Sequence, residues 1–249
     1  MTFSRRRFIC ACLLAGMPHV AMSAAPSSAP VQQAISLPPS VTLHYLIRAR
    51  QSGLAIEGTG LLRWQAAKDR YSVSAESSTP LVGKLLEADS EGGIDASGLA
   101  PGKFTEKKFR RKGTTTTFDR SAKLLTFTGS DRRLPLTGGE QDRSSIVWQL
   151  AAIARGAPQK FTKGAEWPIT VAGSRDASPW VLRVVGKEKI RTPYGAFDAM
   201  RVSRVPSEGG TDQTLDIWLA PSLEWYPVRI RYAEPNGDTI EQLLTKVVR

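Results

Sequence analysis

Apolar and polar residues alternate along most of this chain. From Gln213 to Leu219, Leu215, Ile217 and Leu219 alternate with Thr214, Asp216 and Trp218, the period-two pattern of a strand with two different faces. Pro221 and Pro227 bracket a turn, since each fixes φ and withdraws a ladder donor. Val228, Ile230 and Tyr232 then share one face against Arg229 and Arg231, Asn236-Gly237 signals a hairpin, and Thr239 to Val248 returns as a last strand. Near the start, Val41, Leu43, Tyr45, Ile47 and Ala49 alternate with Thr42, His44, Leu46, Arg48 and Arg50. Leu54 to Gln65 follows as a partner strand interrupted by Gly58 and Gly60, and Arg70 to Ser77 alternates through Tyr71, Val73 and Ala75.

The middle of the chain is read the same way. Leu81 to Leu86 is a short apolar link long enough for one helical turn, and Asp89 to Ser97 is an acidic, glycine-bearing stretch ahead of the turn Gly98-Leu99-Ala100-Pro101-Gly102. Phe104 to Arg111, Thr114 to Asp119 and Lys123 to Thr128 are three successive strands, and Glu166 to Val171, Trp180 to Gly186, Glu188 to Arg191 and Ala196 to Val205 continue the series. One segment departs from period two. From Ser144 to Arg155, Ile146, Leu150 and Ile153, with Val147 and Ala154, recur at helical spacing, with Asp142 placed to cap and Gly156 before Pro158 placed to stop. The pattern predicts an amphipathic helix across an open face or end of the sheet, with Trp148 at the edge of its apolar stripe. The fold class is therefore mainly β, a curved antiparallel sheet, built as a half-barrel or a sandwich of about a dozen strands with one helix.

The N-terminus changes the picture. Ser4-Arg5-Arg6-Arg7-Phe8-Ile9, an apolar run to Met17 and the small-residue stretch Ala21 to Ala25 have the layout of a signal peptide over residues 1–25. The arginines before Phe8 also fit a twin-arginine signal, so the general and twin-arginine routes both stay open. Residues 26–40 read as a flexible linker rich in Pro, Ser and Ala, and residues 41–249 as a single β-rich domain. Cleavage removes both cysteines, His19 and three arginines from a chain of net charge +11. What remains carries His44 as its histidine and no thiol. The expected location is the periplasm, with no integral membrane segment after cleavage and no nucleic acid as partner.

The residues in the C-terminal third also carry a resemblance. Ile190-Arg191-Thr192-Pro193-Tyr194-Gly195-Ala196-Phe197-Asp198-Ala199, then Trp218-Leu219-Ala220-Pro221, Pro227-Val228-Arg229-Ile230 and Asn236-Gly237, resemble the bacterial family called domain of unknown function 3108. Gly98-Leu99-Ala100-Pro101 and Asp142-Arg143-Ser144-Ser145 fit it upstream. The resemblance spans about Ser40 to the end and rests on turn and packing residues. It implies an exported, β-rich protein of Gram-negative bacteria with no established activity, and a sheet-plus-helix shape like that of the periplasmic lipoprotein carriers.

Candidate chemistry is sparse. Zinc sites draw on several Cys or His residues, and a Ser-His-Asp triad needs a nucleophile elbow that is not in the sequence, so neither a metal nor a cofactor is implied. Glu87, Asp89, Glu91 and Asp95 alternate and would share a strand face, which admits a carboxylate-dependent hydrolase or a calcium site beside plain solvation. Lys107, Lys108, Arg110 and Arg111 form a dense basic surface that admits an anionic envelope partner. Trp148, Leu150 and Trp218 are the candidate ligand-binding residues, on the idea of a cavity between sheet and helix open to an acyl chain. Three readings follow: a non-enzymatic binder of an apolar or lipid-like ligand, a structural module docking an envelope partner through its basic face, and a hydrolase.

Overall fold

The computed structural model describes residues 34–206 and 213–249, so the stretch read as a signal peptide and most of the stretch read as a linker lie outside the described residues. The expected alternation becomes fifteen strands of one sheet, more than the dozen read from sequence. The first eight are β1 (Val41–Gln51), β2 (Leu54–Ala66), β3 (Arg70–Thr79), β4 (Gly83–Asp95), β5 (Gly98–Lys108), β6 (Thr114–Asp119), β7 (Leu124–Phe127) and β8 (Arg133–Pro135). After them come β9 (Gln141–Asp142), helix α1 (Ser145–Gly156), β10 (Glu166–Ala172), β11 (Ala177–Thr192), β12 (Gly195–Val205), β13 (Thr214–Ala220), β14 (Tyr226–Ala233) and β15 (Thr239–Val248). The excess is β4 with the short strands β8 and β9: at the stretch read as a link plus an acidic loop, residues 83–95 are one long strand, because hydrogen bonding to β3 and β5 on both sides outweighs two poor strand formers, Gly92 and Gly93.

The strand order is β8-β7-β6-β5-β4-β3-β2-β1-β15-β14-β13-β12-β11-β10-β9. Each half is a meander of hairpins, and the halves join where β1 pairs antiparallel with β15, Thr42 opposite Val248 and Arg50 opposite Thr239. A sandwich is thus excluded among the described residues, and the half-barrel alternative stands. The pairings are antiparallel except β9 with β10, which is parallel. Register shifts at Ser77/Ser78, Glu91/Gly92, Val184/Gly186 and Trp218/Leu219 are bulges, and they bend the ribbon inward. The two ends come together without ladder bonds. Thr116 Oγ1 donates to Gly173 O at 2.8 Å, Ser130 Oγ to Arg175 O at 2.6 Å, and Arg132 pairs with Asp176 at 2.6 Å.

Helix α1 lies inside this curl. Ser145 to Ala154 are buried without interruption, so the helix has no solvent face and the amphipathic expectation is corrected. Its polar residues turn to neighbouring backbone instead of to water. The apolar side chains around it fall into two large groups. One joins Trp148 to Leu43, Tyr45, Trp64, Tyr71, Val73 and Tyr226. The other joins Ile146, Leu150 and Ile153 to Leu182, Val202, Ile217 and Leu219. A smaller third group, Phe104, Phe118, Leu125 and Phe127 with Ala172, fills the space where the sheet ends approach.

Candidate functional site

The start of α1 is fastened by a buried polar node. Asp142 was expected as the N-cap; the capping position is Ser144, which makes no side-chain cap bond. Asp142 instead acts from two residues earlier, its Oδ1 accepting from the N–H groups of Ser144 and Ser145, both at 2.8 Å. Its Oδ2 accepts from Ser90 Oγ at 2.5 Å, and Ser90 in turn shares a hydrogen bond of 3.0 Å with the Tyr71 hydroxyl. Burial pushes the Asp142 carboxyl up to about 6, against the lowering pull of the Ser90, Ser144 and Ser145 hydrogen bonds. Burial, helped by the nearby Asp142 charge, also drives the Tyr71 phenol far upward.

One turn along α1, Gln149 pins the helix to the start of β5, where Gly98 to Gly102, expected as a turn, are strand residues paired with β4. Its Oε1 accepts from Leu99 N at 2.8 Å and its Nε2 donates to Ser97 O at 2.7 Å, while Gln141 Nε2 donates to Leu99 O at 2.6 Å. Gly98 sits at φ +112, and a Cβ there would lie 2.3 Å from Gln149 Oε1. The glycine of the Gly98-Leu99-Ala100-Pro101 motif therefore makes room for the glutamine. Sequence reasoning missed Gln149, Ser90 and Tyr71. The available signal was Gln149 itself, a polar residue within an otherwise apolar helical run.

The far end of α1 is held by the N-terminal lead-in. Residues 34–40 were expected to be flexible, but they run along the helix and into the core. Ser36 N donates to Ala152 O at 3.0 Å, Trp64 Nε1 to Pro38 O at 2.9 Å, and the Tyr226 hydroxyl to Pro39 O at 3.0 Å. Ile35 and Leu37 pack against the two large apolar groups, one on each. Prolines suit this strap, because a segment outside the ladder has no partner for every N–H.

Of the predicted ligand-binding residues, Trp148 and Trp218 belong to one buried apolar group and Leu150 to the other. Trp148 is fully buried, stacked on Trp64 with ring centroids 4.6 Å apart and edge-on to Tyr226. Its indole N–H is buried with no hydrogen-bond partner. Leu150 is also fully buried but belongs to the apolar group on the other side of the helix. Trp218 stands opposite Arg201 and Arg229 in the ladder, on the strand face opposite Ile217, and is buried in the same apolar group as Trp148. Its ring lies between those two guanidinium groups at 5.3 and 4.3 Å, and its Nε1 donates to Glu188 Oε2 at 2.7 Å.

On the outer face, Gln65, Ser72, Glu91 and Lys103 form one cross-strand row of β2 to β5 beside an open groove of about 640 Å³. Glu87, Asp89 and Glu91 do share this outward face of β4; Glu87 meets Lys84 at 2.5 Å and Asp89 accepts from Thr105 at 3.4 Å. Asp95 lies beyond the bulge and accepts from Ser97 N at 2.8 Å. Among the described residues no three His, Cys, Asp or Glu side chains are grouped to hold a metal. His44 is half-buried on β1. Lys107 and Lys108 end β5, and Arg110 and Arg111 follow in the turn, all four exposed. No described helix is long and apolar enough to cross a membrane.

Comparison with known proteins agrees with the motif-level resemblance. The chain belongs to the family described as Protein of unknown function (DUF3108), which matches residues 41–245. A comparison with curated proteins finds no match. Among solved structures, the chain is similar to one described as an exported protein with a YmcC-like fold from Bacteroides fragilis, at 9% identity and TM-score 0.38, covering 88% of this chain and 100% of that one. It is also similar to one described as an outer membrane lipoprotein-sorting protein domain from Vibrio parahaemolyticus, at 6% identity and TM-score 0.30, covering 84% and 85%. A LolA superfamily protein from Nitrosomonas europaea follows at 14% identity and TM-score 0.25, covering 89% and 88%.

Proposed function

We propose that this DUF3108 protein is a non-enzymatic periplasmic binding protein that takes an apolar chain, such as an acyl chain, between helix α1 and the curled sheet. Trp148 carries the reading. Its ring fills the space between α1 and the β1–β3 side of the sheet, yet its N–H is buried without a partner. Leaving such a donor unpaired costs about 1–3 kcal/mol, so the ring occupies the core at a penalty that its displacement would relieve. The surroundings support movement. The sheet ends are clasped by a few side chains rather than by a ladder, and α1 is held at its far end by the strap of residues 34–40. If helix and strap swing outward, the two apolar groups become the walls of one trough.

The test is native mass spectrometry of protein purified without detergent, before and after mixing with palmitate and with a diacyl phosphatidylglycerol. A one-to-one adduct that is lost on organic extraction, with a change in tryptophan emission that is absent from Trp148→Phe, is the expected result. A bare protein mass in all three samples refutes the reading and leaves a self-filled structural module as the better account.

A further inference from the structure

The tips of two neighbouring hairpins leave large apolar side chains in water. The β3–β4 tip carries Leu81, 94% exposed, and Val82, 48% exposed, and the β5–β6 tip carries Phe109, 40% exposed. The tips are adjacent because β4 and β5 stay paired up to Leu86 opposite Lys108, and Phe109 N donates to Leu85 O at 2.8 Å just beyond. Around them stand six cations: Lys84, Lys107, Lys108, Arg110, Arg111 and Lys112. Lys84 is paired with Glu76 and Glu87, and Lys108 with Glu106. Lys107, Arg110, Arg111 and Lys112 meet no carboxylate among the described residues. Arg110 is a non-glycine residue at φ +55, with its guanidinium 5.0 Å over the Phe109 ring, so the turn holds charge and ring together at some backbone cost.

We infer that these two tips are a docking site for an anionic lipid bilayer. Leu81, Val82 and Phe109 enter the boundary between headgroups and acyl chains, while Lys107, Arg110, Arg111 and Lys112 meet lipid phosphates. Each signal alone is weak: a few apolar side chains bury little area, and isolated surface cations are screened by salt. Together they give the two-signal attachment that holds peripheral proteins on membranes. The shape favours lipid over a folded partner. Leu81 and Val82 project from a hairpin tip instead of lying in a flat patch, which suits entry into a soft layer.

The experiment is vesicle co-sedimentation of the protein and its tip variants, all with the same N-terminus, on phosphatidylglycerol–phosphatidylcholine vesicles and on phosphatidylcholine alone. The parent protein should bind the anionic vesicles and lose binding in high salt. Removing two cations with Arg110→Ser and Arg111→Ser should weaken binding about thirtyfold, about fivefold per charge. Leu81→Ser with Val82→Ser and Phe109→Ser should also release the protein, while unchanged thermal melting shows that the fold is kept. Equal binding to neutral vesicles, or unchanged binding by both sets of variants, overturns the inference. Binding to a soluble anionic polymer without binding to vesicles also overturns it and assigns the cations to that polymer. Acyl-chain uptake is read separately by mass, so either property can fail without the other.

Discussion

Gly98→Ala should break the fastening between α1 and the sheet, and the cost can be worked from the geometry. Gly98 has φ +112, where an L side chain is strained by about 1–3 kcal/mol. The new Cβ would lie 2.3 Å from Gln149 Oε1 and 2.5 Å from its Nε2, so the amide must leave its place. Leu99 N then loses its acceptor in a fully buried setting, which costs a further ~1–3 kcal/mol. The total is about 2–6 kcal/mol, or a fall in Tm of about 10 °C at the middle of that range for a domain of this size. The assay is equilibrium urea unfolding followed by tryptophan fluorescence, on Gly98→Ala, Gln149→Ala and the double variant. Gln149→Ala removes the obstacle as well as the hydrogen bonds, so in its background Gly98→Ala should cost only the backbone strain. The two costs should therefore be sub-additive by about 1–3 kcal/mol. A Gly98→Ala penalty below about 1 kcal/mol, or additivity within about 0.5 kcal/mol, would refute the latch.

Two further outcomes follow from the node and the seam. Asp142 titrates near 6 when folded and near its ordinary 3.8 when unfolded, so between those values the folded chain binds the extra proton and stability falls as pH rises. The loss is about 3 kcal/mol across that window, and Asp142→Asn should flatten it in urea titrations at pH 4 and 7; an unchanged slope would place the titration elsewhere. At the seam, Thr116→Val should cost about 1–2 kcal/mol by leaving Gly173 O unpaired in the interior, whereas Arg132→Ala, whose ion pair with Asp176 is solvent-exposed, should cost under about 1 kcal/mol. Equal costs in thermal melts would mean that the closure is electrostatic rather than buried.

Local pattern carried a large part of this architecture. Val41 to Ala49 alternates in sequence and alternates in burial, because a pleated strand turns successive side chains to opposite faces whatever its neighbours are. The run from Ser144 to Arg155 is a helix for the equally local reason that its apolar residues recur at helical spacing. Pro221 and the Asn236-Gly237 pair marked turns by the backbone angles they permit, whereas Gly98 to Gly102, read as a turn, open strand β5 through their pairing with β4. The same evidence misled where burial depended on distant residues. α1 read as amphipathic because Gln149 and Ser145 are polar, and only the approach of Leu99, Ser97 and Asp142 lets those residues be buried. Trp218 was read as opposite its strand's aliphatic face, and the strand pattern did not say that Arg201 and Arg229 would cover its ring.

What the sequence determined by itself was therefore the class of each segment: strands, one helix, their turns, and a family recognised through turn and packing residues. Tertiary structure decided who meets whom. It set β1 beside β15, wrapped the sheet around α1, laid residues 34–40 along the helix and brought the hairpin tip of Leu81 beside that of Phe109. The physical reason is that periodicity encodes how much of a residue is to be buried, which is a property of one segment. The partner that buries it is chosen by summed hydrogen bonding and packing between segments up to the whole chain apart.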